Sequence, residues 1–240
     1  MDAIVPLCDS NCVDIRNIRA LFFSALDIVL PRKERTIRAE SRTIDDLVVS
    51  PDTHEALIPD GAGKTCGIRI TTILDYRNKA VEDCVRALKY DGSSRSAELL
   101  SETLADYLHE EISQAKSFSP RPVLLVPIPL FKTRERERGF NQIEIVLKKL
   151  PREFLDGTLS AFAPRVLVRS RATQQQTKLA RAERLNNVKG AFSAPDAEAV
   201  RGTHIFLIDD VTTTGATLAE AAKPLVKAGA EVSALALARA

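Results

Sequence analysis

The stretch from His204 to Ala238 constrains the fold most strongly. "HIFLIDDVTTTGATLAEAAKPLVKAGAEVSALALA" reads as an apolar strand, two carboxylates, a turn of threonines and glycine, an amphipathic helix ended by Gly229, and a second strand. The units upstream repeat this alternation. They are strand "VLLVPIP", a helix from about Asn141 to Leu150, strand "RVLVRS" and a helix from about Gln176 to Val188. Two of the strands, Val123 to Val126 and Ile205 to Ile208, are continuous apolar runs, as expected of strands covered on both faces. The pattern predicts a doubly wound α/β fold with a mainly parallel sheet, in which ligands bind at the carboxyl ends of the strands.

Ahead of this region, "GIRITTILDY" alternates like a half-buried strand with Ile68, Ile70, Thr72 and Leu74 on one face. Two helical patterns follow, "RNKAVEDCVRALKY" and "SAELLSETLADYLHEEISQ". Cys12 to Leu30 has apolar residues at helical spacing and is closed by Pro31. Residues 31–67 read as an irregular accessory segment with "IDDLVV" as its one short ordered piece. The expected division is therefore 1–67, an N-terminal helix and accessory or hood region, and 68–240, the α/β domain.

Composition narrows the function. The 34 basic and 32 acidic residues leave a formal net charge of +2, so bulk charge does not argue for binding nucleic acid or an anionic membrane, and any basic patch must be local. The apolar stretch "ALFFSALDIVL" is shorter than the roughly 20 residues a bilayer span needs, so no membrane insertion is expected. Four sparse cysteines, Cys8, Cys12, Cys66 and Cys84, suggest a reducing compartment without a disulfide framework. Together these features predict a cytoplasmic protein.

"GAGKT", Gly61 to Thr65, invites a nucleotide P-loop reading. That pattern requires a glycine where this chain has Ile58, a good strand in place of "EALIPD", and a helix where a strand pattern follows. The Thr/Gly turn after Asp210 has the context that "GAGKT" lacks. Thr212, Thr213, Thr214, Gly215, Ala216 and Thr217 lie at a helix N-terminus, where N–H groups and the macrodipole favour a phosphate. Asp209 and Asp210 repel phosphate. They suit the hydroxyls of an attached sugar and could bias a nearby Mg²⁺. The competing reading is an ordinary N-cap threonine beside solvated acids.

A third feature is "VPIPLFKTRERERGFNQ", in which a buried strand runs into a loop with Lys132, Arg134, Arg136 and Arg138. Guanidinium groups offer phosphate oxygens a planar fork of donors. Glu135 and Glu137 alternate with the arginines, which leaves a solvated, salt-bridged loop as the alternative.

At these residues the chain resembles the type I phosphoribosyltransferases. "VPIPLFKTRERERGFNQ", "RATQQQTKLARAERLNNVKGAF" and "YRNKAVEDCVRALKYDG" are similar to segments of the ComF family of competence-associated, phosphoribosyltransferase-like proteins, and the resemblance covers roughly residues 68–240. It implies a type I phosphoribosyltransferase-like fold that binds phosphoribosyl pyrophosphate with Mg²⁺. The 5-phosphate would sit on residues 212–217, the ribose hydroxyls on Asp209 and Asp210, and the pyrophosphate on Lys132, Arg134 and Arg138. Arg171, with Thr173, Gln176, Arg184 and Asn187, would lie in a loop closing over the substrate; a plain amphipathic helix with a basic face is the other reading of that segment. Lys89 also falls at a family-like position, and a lysine near a helix C-terminus has an ordinary dipole explanation as well. The implied activity is transfer of ribosyl 5-phosphate to a nitrogen acceptor, which the sequence does not name.

The alternative is a non-catalytic phosphoribosyl-binding or single-stranded DNA-binding protein of DNA uptake, with DNA or competence proteins as partners. Many relatives carry paired CxxC zinc motifs. Here "CDSNC" spaces Cys8 and Cys12 by four and Cys66 and Cys84 complete no second pair, so zinc is not expected. An exposed apolar N-terminal helix would favour pairing of two copies.

Overall fold

The computed structural model describes residues 34–59, 65–131, 133, 136, 138–170 and 188–240. Within them the chain forms α1 (Glu34–Glu40), β1 (Val49–Pro59), β2 (Thr65–Asp75), α2 (Lys79–Asp91), α3 (Ser94–Phe118), β3 (Val123–Pro127), α4 (Gln142–Leu147), β4 (Ala161–Phe162), β5 (Val168–Arg169), β6 (Phe192–Ser193), β7 (His204–Thr212), α5 (Ala216–Lys227) and β8 (Glu231–Arg239). Six strands form one sheet in the order β1-β2-β8-β7-β3-β4. Every neighbouring pair in it is parallel except the β1–β2 hairpin at one edge. The expected doubly wound, mainly parallel architecture is the one observed.

Period-2 alternation sorts the strand residues onto two cores. Phe206, Ile208, Leu125, Leu235 and Leu237 pack with α1, α2, α3 and α4. Ile205, Leu207, Val126, Ala234 and Ala236 face the other way, onto Leu218, Ala221, Ala222 and Leu225 of α5. Small residues on β8 let α5 sit close to the sheet, and both faces of the central strands are dry. This explains why β3 and β7 show continuous apolar runs.

Residues 31–67, expected to be irregular, are ordered where the structure describes them. β1 pairs along nearly its full length with β2, from Val49 opposite Leu74 to Pro59 opposite Thr65. The weak sequence signal has a physical cause. The inward positions are His54, Ala56 and the fully buried Ile58, whereas Leu57, an outward position, is 73% exposed. An edge strand with so little apolar alternation does not look like one. "EALIP", expected to make a poor strand, is thus part of β1, and Thr65 opens β2 rather than a helix, which removes the P-loop context. In "IDDLVV", Ile44–Asp46 is a short 3-10 turn and Val49 opens β1.

α1 buries only Ala39 and is held to α2 by charge. Arg35 reaches Asp91 at 2.6 Å, and Arg38 and Arg42 flank the buried Asp83 at 3.4 and 3.0 Å.

The alternation places "RVLVRS" in the main sheet, and the structure corrects this. Only Val168–Arg169 is strand, paired antiparallel with β6 in a separate two-stranded ribbon. The sixth strand of the main sheet is instead the two-residue β4, too short to leave a period in sequence. The helix expected over Cys12 to Leu30 lies outside the described residues, as does the one from Gln176 apart from its last residue, Val188. No helix among the described residues is long and apolar enough to cross a membrane.

Candidate phosphoribosyl site

β7 carries the acid pair to the carboxyl end of the sheet and extends through Thr212, paired there with Arg239 of β8. Gly215 then turns the chain into α5 with φ of 73°, a left-handed conformation that side-chain-bearing residues avoid. The Thr212 hydroxyl oxygen accepts the Gly215 N–H at 2.9 Å, so this buried threonine holds the turn from inside. Thr213, Thr214 and Thr217 are half-buried around the helix start, and Ala216 is buried beneath them. An α-helix cannot supply its own first-turn N–H groups with carbonyl acceptors, so the positive end of the helix dipole at this turn favours an anion.

The hairpin roofs this turn closely. A Cβ on Gly215 would stand 2.7 Å from Ile70 Cδ1 and 3.1 Å from His54 Nε2. His54 Nδ1 is buried without a hydrogen-bond partner. No sequence signal marks this histidine, because it lies in the stretch that reads as irregular.

The two acids lie close together, their carboxyls in direct contact. Asp209 Oδ1 accepts the Asp210 N–H at 2.9 Å, and Lys89 also acts on this carboxyl. Asp210 shares the face of α2 and α4. It is 6% exposed, its Oδ1 accepts the Val211 N–H at 2.7 Å, and its Oδ2 accepts from Gln142 Nε2 at 2.8 Å with Lys89 Nζ 3.8 Å away. Tyr76 lies near, its phenol raised by burial first and then by carboxylates that include Asp210. The Asp209 carboxyl is pushed up to about 7, first by desolvation and then by the charge of Asp210.

The basic loop is pinned at its exit. Asn141 caps α4 by accepting the Ile143 N–H at 3.0 Å, and its Nδ2 donates to Ile128 O, also at 3.0 Å. Arg138 Nη1 donates to Gln142 Oε1 at 3.2 Å, which connects the loop to Asp210. Of the residues expected in the site, the structure thus gathers Arg138, Asp209, Asp210 and the 212–217 turn at one end of the sheet. Lys132, Arg134 and Arg171 lie outside the described residues. Gln142 and Lys89 join them: the "GFNQ" motif contains the first, and the second is more than a lysine at a helix end, because it faces Asp210.

The site suits Mg²⁺ only in company with a ligand. Two adjacent carboxylates, one pushed up by burial first and by its neighbour second, would gain from a cation, and Mg²⁺ is commonly held by one or two carboxylates plus substrate phosphates. Among the described residues no group of three His, Cys, Asp or Glu could hold a metal unaided. Cys84 is a core residue whose thiol burial pushes up to about 11. A cleft of about 220 Å³ lined by Arg69, Glu111, Phe118, His204 and Glu231 lies at the amino ends of the strands, away from this chemistry.

The titration of Asp209 yields a pH prediction. A carboxyl raised to about 7 is largely protonated below that pH, so a ligand that needs the carboxylate must displace the proton. Affinity for any ligand that needs this carboxylate is expected to rise up to about tenfold per pH unit between pH 5 and 7 and to level off above. Calorimetric titrations at several pH values in buffers of different ionisation enthalpy should show proton release at pH 6 and little at pH 8.5.

No protein-family model matches the chain. DNA utilization protein YhgH of Escherichia coli K12 is 33% identical over 163 residues, covering 68% of this chain and 67% of that protein. Competence protein ComFC of Streptococcus pneumoniae is 31% identical over 170 residues, with 69% and 65% covered. This chain belongs to the ComF family. Competence protein F of Haemophilus influenzae is 34% identical to this ComF chain over a shorter stretch of 135 residues, 55% of this chain and 57% of that one. Among solved structures, the orotate phosphoribosyltransferase of Mycobacterium tuberculosis matches over 86% of the ComF chain and 97% of its own, with a TM-score of 0.32 and 10% identity. The mainly parallel strand order β1-β2-β8-β7-β3-β4 defines the fold by itself.

Proposed function

We propose that this ComF protein binds phosphoribosyl pyrophosphate with Mg²⁺ at the carboxyl ends of β3 and β7 and acts in the uptake or use of DNA. The observation that carries the proposal is the junction of β7 and α5, where two carboxylates directly precede an anion-favouring helix start and one of them is wired to the basic loop through Gln142. Relatives named for competence and for DNA utilization support the cellular context.

In this reading the 5-phosphate lies on the 213–217 turn, the ribose hydroxyls donate to Asp209 and Asp210, and the pyrophosphate lies against Arg138, in the loop whose sequence also carries Lys132 and Arg134, while Arg171 belongs to the segment expected to close over the substrate. Bound Mg²⁺ would offset the charge of the pyrophosphate. The chain's own residues orient the sugar, neutralise the departing oxygens and limit water near the anomeric carbon. Such a pocket supports displacement of pyrophosphate by a nitrogen nucleophile: the C1–O bond breaks with its electron pair leaving on pyrophosphate, and a C1–N bond forms.

The test is thermal unfolding of the full chain with phosphoribosyl pyrophosphate and Mg²⁺, followed by pyrophosphate-release assays with nitrogen acceptors. At about 100 times its dissociation constant, the ligand should add roughly 2.7 kcal/mol of stability. No shift at saturation, together with single-stranded DNA binding that weakens steeply with salt, would replace this reading with a DNA-binding one.

A further inference from the structure

Gln142 stands between two groups of fixed polarity. Its Nε2 donates to Asp210 and its Oε1 accepts from Arg138. A carboxylate can only accept and a guanidinium can only donate, so the two partners dictate which way the amide points. Gln142 is 4% exposed, and its backbone is fixed by the neighbouring cap, since Asn141 grips both the Ile143 N–H and Ile128 O. The side chain is thus the adjustable part of a buried line running from the basic loop to the sugar-side acid.

We propose that Gln142 is a positioning residue that couples pyrophosphate binding to ribose binding. This rests on the phosphoribosyl reading above. In the structure the amide occupies Asp210 Oδ2, the atom a ribose hydroxyl would use. When Arg138 turns to a pyrophosphate oxygen, Gln142 Oε1 loses its donor. A buried carbonyl oxygen without a partner is costly, and the amide also becomes a poorer donor once the guanidinium no longer polarises it. A ribose hydroxyl relieves both effects: it donates to Asp210 and lets the amide turn to new partners. Each half of the ligand therefore improves the site for the other, and by linkage the effect is reciprocal.

The experiment is calorimetric titration of the full chain with ribose 5-phosphate and Mg²⁺, with and without inorganic pyrophosphate. For the natural sequence, pyrophosphate should tighten ribose 5-phosphate about tenfold, within the usual range of such couplings. In Gln142→Met, which keeps the length and removes both hydrogen bonds, ribose 5-phosphate alone should bind near the tightened value and pyrophosphate should change it less than twofold. Gln142→Glu serves if the methionine variant does not fold. It retains the Arg138 contact and sets a carboxylate against Asp210, so it should weaken ribose 5-phosphate and also lose the coupling. Independent binding in the natural sequence, or tenfold coupling that persists in either variant, overturns the proposal. Failure of both ligands to bind the natural sequence would instead remove the phosphoribosyl reading beneath it.

Discussion

Asp209→Asn is expected to make the ligand-free protein more stable at pH 8 and to abolish the thermal shift given by phosphoribosyl pyrophosphate with Mg²⁺. The two effects share one cause. Burial and the Asp210 charge raise the Asp209 carboxyl to about 7, well above its unfolded value. A group raised in this way contributes stability that is fully present below its unfolded pKa and is lost as pH climbs through the folded one. At pH 8 the carboxylate is charged and unfavourable. Asparagine keeps the oxygen that accepts the Asp210 N–H and removes the charge. The melting temperature should rise by a few degrees, since about 1 kcal/mol corresponds to roughly 2–4 °C for a chain of this size. At pH 4 the gain should vanish. The ligand loses its acceptor in the same step, so the added stability of roughly 2.7 kcal/mol at high ligand should disappear. Lower stability at pH 8 would show that Asp209 is not strained, and a full ligand shift would show that it is not used.

Gly215→Ala should be the most damaging single methyl group in the loop. The backbone at φ of 73° costs an L-residue roughly 1–2 kcal/mol. The new Cβ would also lie 2.7 Å from the side chain of Ile70, which is fully buried and has little room to move. Overpacking of this kind adds about 1–3 kcal/mol. A total near ~3 kcal/mol is expected by chemical denaturation, with ligand binding lost because the turn must shift. Gly157→Ala is the control, with φ of 96° and nothing within 4 Å of the added Cβ, so it should show the backbone cost alone. Adding Ile70→Val, which deletes the clashing Cδ1, should restore part of the Gly215→Ala loss. Equal midpoints for the two glycine variants would refute the close approach of the hairpin to the loop.

The contrast between these residues shows what can be read from the chain. β7, its acids and the glycine turn are legible because a dry strand followed by a helix leaves a local apolar pattern that few other structures produce. β1 is not, because an edge strand buries one face lightly and here uses His54 and Ala56 to do it. Gln142 sits in plain view inside "GFNQ", yet its meaning depends on a partner 68 positions away. Helix-capping rules account for Asn141 next to it and say nothing about where the following amide points. The ion pairs that dock α1 on α2 are equally long-range, and a charged segment gives no hint of them before folding.

The small β5–β6 ribbon fixes how freely this protein can be rewritten. Val168 pairs with Ser193 and Arg169 with Phe192, the Ser170 N–H reaches Ala191 O, and Glu220 of α5 accepts the Gly190 N–H at 2.7 Å. The ribbon therefore holds Ser170 against Ala191, a few residues after Val188. The ends of the intervening segment are clasped whatever lies between them, and doubling the length of a closed loop costs only about 0.6 kcal/mol. A change of length between Ser170 and Val188 should therefore cost folding little, which thermal unfolding of chains lengthened there would read.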